Sequence, residues 1–309
     1  MENKQPLLSI CIPTYNGGEK LKLALTAVFT ALEGYTDVEV IVSDNHSTDD
    51  TPEFVSAFYH HSQFYYYRND NNLGFNRNLG LLLYKYAQGK YCWVIGDDDL
   101  LDEDVLSSVW NLLVNDNVEY ISLAHRLLTI TDYKKMNLEK NRKIHYRICS
   151  FVEAIEYNSC DSNILGTFMS SSIFLLDRVK QNDYSIFSDN SWDNFYSTFP
   201  NSYLMVSSFA QNNHCVAITT PVLTALIHEK SWDDKMNLLT FKYLPAMYVY
   251  HFKKTGKTMS NNLKLIQQMI VQRIGVLLKH GWLRDIPISL LFKSIFWKNT
   301  YILLLHKIK

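Results

Sequence analysis

Residues 91–99 read YCWVIGDDD, an apolar run that ends abruptly in three aspartates. The run at 91–95 predicts a buried strand, because a short apolar stretch bounded by turn residues is typical of one. Asp97, Asp98 and Asp99 follow after a single glycine. In an open α/β sheet, ligands bind beyond the carboxyl ends of the strands, so this stretch predicts an acidic binding site at that edge.

The surrounding sequence alternates short apolar runs with amphipathic segments through the first 124 residues. Strands are predicted at residues 7–13, 38–43, 64–68 and 91–95, and helices at 20–32, 74–87 and 102–113. In the first helix one face is apolar at helical spacing: Leu21, Ala24, Leu25, Val28, Phe29 and Leu32. This alternation is the signature of βαβ units and predicts the α/β class, with a mostly parallel sheet flanked by helices.

The composition excludes several classes of protein. The chain has 309 residues, 47% of them hydrophobic, which allows a sizeable core and excludes disorder as the main state. Thirty basic against thirty-one acidic residues give a net charge of −1, so no overall basic field marks a nucleic-acid binder. Five cysteines without a Cys-x-x-Cys pair favour a reducing compartment. Because neither a signal-peptide pattern nor an apolar run of about 18 residues occurs, we expect a cytoplasmic protein.

Polar residues also follow the first and second predicted strands. The first strand ends in PTYN at residues 13–16, and the second runs into DNHSTD at residues 44–49. A carboxylate such as Asp44 can accept hydrogen bonds from a nucleobase or ribose, and Tyr15 can stack on a base. Both turns are therefore candidate nucleotide contacts.

The third connection, residues 68–78, carries two arginines, Arg68 and Arg77, and Gly74 where a helix is predicted to begin. Guanidinium groups and helix N-termini both favour phosphate. Neither G-x-G-x-x-G nor G-x-x-x-x-G-K-[ST] occurs, which argues against a dinucleotide-binding motif and a P-loop.

Three adjacent carboxylates repel one another, and a divalent cation relieves that cost. Magnesium or manganese takes one or two protein carboxylates and leaves its other positions to water and phosphate oxygens. The alternative is an aspartate-rich turn that caps the helix beginning near Asp102. The position of the triplet at the carboxyl end of a strand favours the metal.

Taken in order, four motifs resemble the family-2 glycosyltransferases of the GT-A fold. The family shows P-x-Y-N, D-[DN]-x-S-x-D, N-x-G-x-x-x-[AG]-R-N and an aspartate-rich D-x-D loop. This chain reads PTYN at 13–16, DNHSTD at 44–49, NLGFNRN at 72–78 and DDD at 97–99. The resemblance covers about the first 120 residues and implies a Rossmann-like nucleotide-binding sheet with a C-terminal helical extension. The GDDD form at 96–99 is most similar to the subset acting in O-antigen and other surface-polysaccharide assembly, including enzymes similar to abequosyltransferases.

The resemblance also implies roles for individual residues. Tyr15 and Asp44 are expected at the base and Arg77 at the nucleotide end of the donor. Among the aspartates we favour Asp98 near the ribose and Asp99 at the cation, which is Mn²⁺ or Mg²⁺. The expected nucleotide-sugar contacts are Pro13, Thr14, Tyr15, Asn16, Asp44, Asn72, Arg77, Asp97 and Asp98.

The second half of the chain matches the family less closely. The family places an acidic general base, often in a Glu-Asp pair, near the acceptor, and no such pair occurs between residues 168 and 228. Asp189 and Asp193 lie four apart, so on a helix they would share a face beside aromatic residues. We favour Asp193 as the base, with Asp189 and then Asp183 as alternatives. If neither Asp189 nor Asp193 is catalytic, Asp189 caps a helix and Asp193 is solvated.

A histidine late in the sequence also matches the family. His228 and Ser231 fit its H-x-x-S pattern, so His228 is expected at the metal or the diphosphate. The alternative is a structural histidine, which is the more frequent role of a lone one.

The pattern divides the chain into three parts. Residues 1–124 are the expected nucleotide-sugar-binding half, 125–255 the acceptor-binding half that completes the GT-A domain, and 256–309 a C-terminal helical segment. Residues 125–147 are basic and poor in apolar residues, and are predicted to form a loop near a domain boundary.

The C-terminal segment has a distinctive composition. Between residues 262 and 309, eight basic residues stand against one acidic residue, a net charge of +7, and aromatic and aliphatic residues are interleaved with them. No run is long enough to span a bilayer, and this mixture is typical of helices lying in a membrane interface. The alternative is packing against the catalytic domain or against a second subunit of a homo-oligomer.

The implied activity is inverting transfer from a nucleoside diphosphate sugar, expected to be a UDP-sugar, to a hydroxyl of a saccharide. A lipid-linked acceptor would place the enzyme on the inner face of the cell membrane. Two alternatives remain open. A sugar nucleotidyltransferase could use a similar sheet and metal but would release pyrophosphate, and the missing Glu-Asp pair is compatible with a non-catalytic scaffold subunit of a polysaccharide assembly complex.

Overall fold

The computed structural model describes residues 5–115, 117–136, 142–160, 162–188, 194–227 and 243–279, with the backbone alone for 271–279. The strands are β1 (Leu8–Thr14), β2 (Val38–Asp44), β3 (Phe64–Arg68), β4 (Tyr91–Val94), β5 (Asp99–Leu101), β6 (Tyr120–Leu128), β7 (Tyr146–Cys149), β8 (Ser172–Leu175) and β9 (Cys215–Leu226). The helices are α1 (Gly18–Ala31), α2 (Thr51–Ser56), α3 (Phe75–Leu81), α4 (Val105–Asn115), α5 (Ile130–Lys135), α6 (Phe151–Tyr157), α7 (Leu176–Lys180), α8 (Phe195–Thr198), α9 (Pro200–Phe209), α10 (Leu244–Thr255) and α11 (Ser260–Lys279).

One mixed sheet joins the described strands in the order β3-β2-β1-β4-β8-β6-β9-β5, and β7 also pairs with β9. The first four strands of this order run parallel, β8 is antiparallel to both β4 and β6, and β9 is parallel to β6. The carboxyl ends of β1, β2, β4 and β6 therefore meet at the same edge of the sheet. We call this edge the site edge.

Helices cover both faces of the sheet, as the alternation of the sequence predicts. One buried cluster packs α1, α2 and α4 against the strands, and the other packs α3, α6, α9 and α10 on the opposite face. In α1 the predicted face is confirmed, because Leu21, Ala24, Leu25 and Val28 are buried and Phe29 packs partly buried against the core. The strands predicted at 7–13, 38–43, 64–68 and 91–95 are present within one residue at each end.

The prediction of a loop over residues 125–147 is wrong for much of that segment. Strand β6 continues to Leu128, α5 follows it, and β7 begins at Tyr146. Two of the charges that suggested a loop are paired, because Arg126 and Arg142 both hydrogen bond to the buried carboxylate of Asp102 at 2.6–2.8 Å. Apolar periodicity alone cannot reveal a strand whose basic residues are paired with partners distant in sequence.

A short strand that the sequence did not predict, β5, lies just before the helix predicted at residues 102–113. It carries Asp99 to Leu101 and pairs antiparallel with β9, so α4 begins only at Val105. Farther along, Ser150 and Glu153 form a capping box at the start of α6. Within the described residues, no helix combines the length and apolar character needed to cross a bilayer. The division into parts at residues 124 and 255 stays a prediction.

Candidate functional site

Asp97, Asp98 and Asp99, which we call the acidic turn, lie at the site edge directly after β4. The turn is held against the end of β1. Thr14 Oγ1 donates a hydrogen bond to Asp97 Oδ2 at 2.6 Å. Gly17 leaves room for this contact, because a Cβ atom there would lie 2.4 Å from Thr14 Oγ1 and 2.9 Å from Asp97 Oδ2. The predicted PTYN and DDD motifs therefore meet in space, although 83 residues separate Thr14 and Asp97 in the sequence.

Asp99 begins β5 and is almost completely buried, with 4% of its surface exposed. Ser170, which precedes β8, donates its hydroxyl to Asp99 Oδ2 and accepts a hydrogen bond from the backbone N–H of Gly96 at 2.9 Å. Its carbonyl accepts the indole N–H of Trp93 at 2.7 Å. Ser170 therefore ties the acidic turn to the sheet from the side opposite Thr14.

Burial makes this acidic turn costly to ionise. Burial, with the charge of Asp98 added, raises the pKa of Asp97 to about 6, although the hydrogen bond from Thr14 lowers it. Burial and then the charge of Asp98 raise the pKa of Asp99 to about 8. A bound cation would relieve both effects, since a nearby positive charge favours ionised carboxylates.

The donor set of this turn fits a hard divalent cation that also binds a phosphate-bearing ligand. Among the described residues no cluster of three or more His, Cys, Asp or Glu side chains could hold a metal ion by itself. Mn²⁺ and Mg²⁺ do not require such a cluster, because one or two carboxylates suffice when substrate phosphates and water complete the shell. Asp99, the residue expected at the cation, is of the right type for this role.

Asp44 lies fully buried at the end of β2, and both its oxygens are occupied by protein donors. Oδ1 accepts hydrogen bonds from the N–H and the hydroxyl of Ser47 at 2.8 and 2.6 Å. Oδ2 accepts the Tyr66 hydroxyl at 2.6 Å and lies 3.3 Å from Nε of Arg68. Sequence reasoning singled out Asp44 but missed Tyr66, since no local pattern links the middle of β3 to the end of β2.

The loops after β1 and β2 hold each other in place. Asn16 has a positive φ of 56°, and its Oδ1 accepts the backbone N–H of Thr48 at 2.8 Å. Its own N–H donates to the hydroxyl of Ser47 at 2.9 Å. Tyr15, the predicted stacking residue, is 46% exposed beside them. The PTYN and DNHSTD motifs thus form one surface with an aromatic side chain open to a ligand.

A network of asparagines shapes the connection between β3 and α3. Asn72 Oδ1 accepts the side chain of Asn45 and the backbone N–H of Gly74 at 2.8 and 2.9 Å. Asn69 donates to Asn45 and to Asn78, and Asn78 also bonds to Ser43. The side chain of Asn72 therefore hydrogen bonds within the loop. The sequence motifs did not single out as contacts the three asparagines that hold this loop in shape, Asn45, Asn69 and Asn78.

Arg77 is exposed on α3 and reaches the second half of the chain. Its Nε and Nη2 donate to the backbone carbonyl of Ser188 at 3.3 and 3.2 Å. Next to it, the buried Asn76 donates to the carbonyl of Ser197 at 2.8 Å. These contacts attach α3 to both ends of the segment that carries the predicted base candidates. Asp189, Asp193 and His228 themselves lie outside the described residues.

The structure therefore brings Thr14, Tyr15, Asn16, Asp44 and the acidic turn to one edge of the sheet. The carboxylate of Asp183, the weakest of the base candidates, instead accepts hydrogen bonds from the backbone N–H and the hydroxyl of Ser185. A cavity of about 950 Å³ lies at the opposite edge, lined by residues such as Glu119, Arg178 and His214, and it is separate from this site.

The amino-acid sequence is similar to those of known sugar transferases. The sequence model described as Glycosyl transferase family 2 matches residues 9–172, more than half of the chain. Abequosyltransferase RfbV of Salmonella typhimurium is 41% identical over 103 residues, 33% of this chain and 31% of that protein. Poly(ribitol-phosphate) beta-N-acetylglucosaminyltransferase TarP of Staphylococcus aureus is 25% identical over 226 residues, 67% of this chain and 65% of that protein. The chain thus spans about a third of the first relative and just under two thirds of the second.

Solved structures share the fold. TarS of S. aureus in complex with UDP superposes with a TM-score of 0.56 at 14% identity, over 85% of this chain and 70% of that one. Mannosyltransferase PcManGT from Pyrobaculum calidifontis, in complex with GDP-Man and Mn²⁺, gives a TM-score of 0.56 at 13% identity, over 95% and 84%. The GT-A fold predicted from the four motifs is confirmed.

Proposed function

The chain belongs to glycosyl transferase family 2, and we propose that it transfers a sugar, with inversion, from a nucleoside diphosphate sugar to a hydroxyl of a saccharide acceptor. The observation that carries the proposal is the hydrogen bond between Thr14 and Asp97, which joins the PTYN turn to the acidic turn at the site edge. A nucleotide on the first turn would place its diphosphate beside the second. The inversion is proposed from the family resemblance alone.

On the donor side, Tyr15 stacks on the base, and the network around Asp44 forms the floor beneath it. Asp97 and Asp98 would contact the ribose, and Asp99, with His228, would hold Mn²⁺ or Mg²⁺. When bound, the cation neutralises charge on the departing diphosphate. Fold neighbours are in complex with UDP, UDP-GlcNAc or GDP-Man, which supports a nucleotide sugar, and a UDP-sugar is our first choice.

Arg77 binds the nucleotide end of the donor. Its guanidinium is exposed and bonds to a backbone carbonyl, a partner that a phosphate can replace with a stronger, charge-assisted contact. If Arg77 bound phosphate in place of the Ser188 carbonyl, the contact between α3 and Ser188 would be lost.

On the acceptor side, Asp193 acts as the general base that removes the proton from the attacking hydroxyl. A positioned base contributes about 10²–10⁴-fold to the rate, and the alignment of both substrates contributes further. RfbV and TarP are both sugar transferases, and TarP is a poly(ribitol-phosphate) transferase, which supports an acceptor in surface-polymer assembly. We propose that the acceptor is lipid-linked and that the protein meets it at the cytoplasmic face of the membrane.

A thermal-shift screen of UDP, GDP, CDP and dTDP with and without Mn²⁺ tests the donor half of the proposal. Ligand binding to the folded state raises the melting temperature, so at least one diphosphate with Mn²⁺ should raise it. Asp99→Asn should abolish the part of the shift that depends on Mn²⁺. Asp177→Asn, an exposed aspartate at the opposite edge, is the matched control and should leave the shift unchanged.

Product analysis with a donor labelled in its sugar then separates the alternatives. Transfer or slow hydrolysis that releases nucleoside diphosphate supports the proposal. Release of pyrophosphate would support a nucleotidyltransferase instead, and nucleotide binding without either reaction would support a scaffold subunit. A protein that no diphosphate stabilises, with or without Mn²⁺, would contradict the proposed function.

A further inference from the structure

A cluster of three polar side chains lies at the site edge outside the residues assigned above. Nε2 of His125 is 2.6 Å from the hydroxyl of Ser162 and 3.9 Å from Sγ of Cys160. Sγ of Cys160 is 3.3 Å from the same hydroxyl. All three residues are partly exposed. We call them the His125 cluster.

The register of the sheet brings the strand that leads into the acidic turn and the strand that carries His125 to the same level at β8. Trp93 on β4 and Ile121 on β6 both pair with Ile173 of the intervening β8. Asp97 lies four residues beyond Trp93, and His125 lies four residues beyond Ile121, in the same direction. Two strand spacings separate β4 from β6, so their backbones stand about 10 Å apart at Trp93 and Ile121, before β4 ends.

A shared segment also links the cluster to the acidic turn. The ring of His125 packs on that of Phe168, with the centroids 4.3 Å apart. Phe168 lies two residues before Ser170, whose hydroxyl donates to Asp99. Phe168 is partly exposed, so this wall offers an aromatic face next to the polar groups.

The backbone at this point is shaped to present His125. The register of β6 against β9 shifts between Leu123 and His125, and a bulge of this kind re-aims a side chain. Hydrogen bonds of the next residue, Asn163, anchor the loop that supplies Cys160 and Ser162. Asn163 donates to Ser171 at 3.1 Å and accepts the backbone N–H of Phe168 at 3.0 Å.

The position and chemistry of the cluster together indicate its ligand. In the strand order, β6 lies on the far side of β4 from β1 and β2, where the proposed nucleotide contacts stand. A sugar held at the acidic turn would therefore have the nucleotide on one side and the His125 cluster on the other. Imidazole, hydroxyl and thiol groups beside an aromatic face suit a sugar ring, which presents hydroxyls at its rim and C–H groups on its faces.

We propose that the His125 cluster binds the acceptor saccharide, with His125 and Ser162 hydrogen bonded to its hydroxyls and Phe168 against its ring. This inference rests on the proposed function, because it assigns the acceptor side of the same reaction. His125 is a binding residue here, and the general base stays with the segment that carries Asp193.

The test uses the thiol of Cys160 as a reporter in the full-length, unaltered protein. N-ethylmaleimide alkylation is followed by peptide mass mapping, with a panel of methyl hexopyranosides as acceptor probes. Cys149 is also a free, partly exposed cysteine. It lies opposite Cys215 in the β7–β9 register, at the amino-terminal end of β9 and away from the site edge, so it serves as the internal control. At least one glycoside, tested with Mn²⁺ and a diphosphate present, should slow alkylation of Cys160 about threefold or more and leave Cys149 unchanged.

Variants separate binding from a merely structural role. Loss of a neutral hydrogen bond weakens binding by up to about tenfold, so His125→Ala and Ser162→Ala should lose most of the glycoside protection. Both variants should keep the thermal shift caused by diphosphate with Mn²⁺. His60→Ala, an exposed histidine on another part of the surface, is the matched control and should keep the protection.

Three results would overturn the inference: no glycoside protects Cys160, diphosphate alone protects it equally well, or His125→Ala keeps full protection. The proposed function is read separately from the diphosphate shift of the unaltered protein. If that shift is present and protection fails, only the acceptor assignment is wrong. If the shift is absent, the donor proposal is wrong, whatever the labelling result.

Discussion

The hydroxyl of Thr14 donates a hydrogen bond of 2.6 Å to the carboxylate of Asp97, and this contact joins the ends of two neighbouring parallel strands. It lowers the pKa of Asp97, which burial raises to about 6. The contact therefore favours the ionised form that a cation or a ribose hydroxyl would meet. Gly17 lies so close that any side chain there would disturb both partners.

Thr14→Val removes this hydrogen bond and keeps the shape of the side chain. A hydrogen bond to a charged group contributes about 1.5–3 kcal/mol, so Mn²⁺-dependent binding of nucleoside diphosphate should weaken by about tenfold or more. Isothermal titration calorimetry measures the change. Thr14→Ser should retain most of the affinity, and Thr26→Val, which removes an exposed hydroxyl bonded only to the helix backbone in the described contacts, is the control. Equal affinities for Thr14→Val and the unaltered protein would argue against a role of this contact in binding.

Asp99→Asn should stabilise the metal-free protein at alkaline pH. Burial, aided by the charge of Asp98, raises the pKa of Asp99 from the ordinary 3.8 to about 8. Between these values the folded chain binds more protons than the unfolded chain, so stability falls as pH rises towards the folded pKa. Asparagine does not ionise and should remove that part of the pH dependence. At about pH 8.5 the variant should melt at least about 2 °C higher than the unaltered protein.

Thermal unfolding with a metal chelator between about pH 7 and about pH 9 checks this prediction. The range avoids His251, because burial lowers its pKa to about 3 and its contribution to pH dependence lies on the acidic side. Asp177→Asn again serves as the control. Parallel pH profiles of the Asp99→Asn variant and the unaltered protein would show that Asp99 is not the group whose ionisation is costly.

The base assignment predicts a large and selective loss of activity. Asp193→Asn should lower transfer by about 10²-fold or more and leave donor binding nearly unchanged, because a general base acts on the acceptor proton. Asp183→Asn is the matched control, since its carboxylate bonds to the N–H and hydroxyl of Ser185 on the surface. If Asp189→Asn is inactive and Asp193→Asn is active, the base is Asp189. If both variants retain transfer, the base lies elsewhere.

The C-terminal segment should bind anionic membranes. Attraction to anionic lipid is worth about 1 kcal/mol per basic residue near the surface, and residues 262–309 combine a net charge of +7 with aromatic groups. Truncation after Gly281 should therefore weaken co-sedimentation with anionic liposomes, and added salt should weaken it for the full chain. Equal sedimentation of both forms at low salt would refute the membrane role and favour a packing or subunit interface. Most of this segment lies outside the described residues.

Sequence reasoning succeeded where local pattern is sufficient. The alternation of apolar runs located β1 to β4, and the helical spacing of apolar residues located the buried face of α1. It failed at β6, where the polar carboxyl end of the strand lies at the site edge and Arg126 is paired with a distant aspartate. A strand end that contributes to a site carries polar residues, so the alternation of apolar and polar residues that predicts a strand is absent there.

The amino-acid sequence by itself determined the first four strands and the polar turns that follow β1, β2 and β4, because periodicity and turn preference act within a few residues of one another. Only the tertiary structure decided which of those turns meet. Thr14 contacts Asp97 and His125 contacts Ser162 because strand order and register bring them together across 83 and 37 residues. Long-range register is set by the burial of whole faces against one another, and no local pattern encodes it.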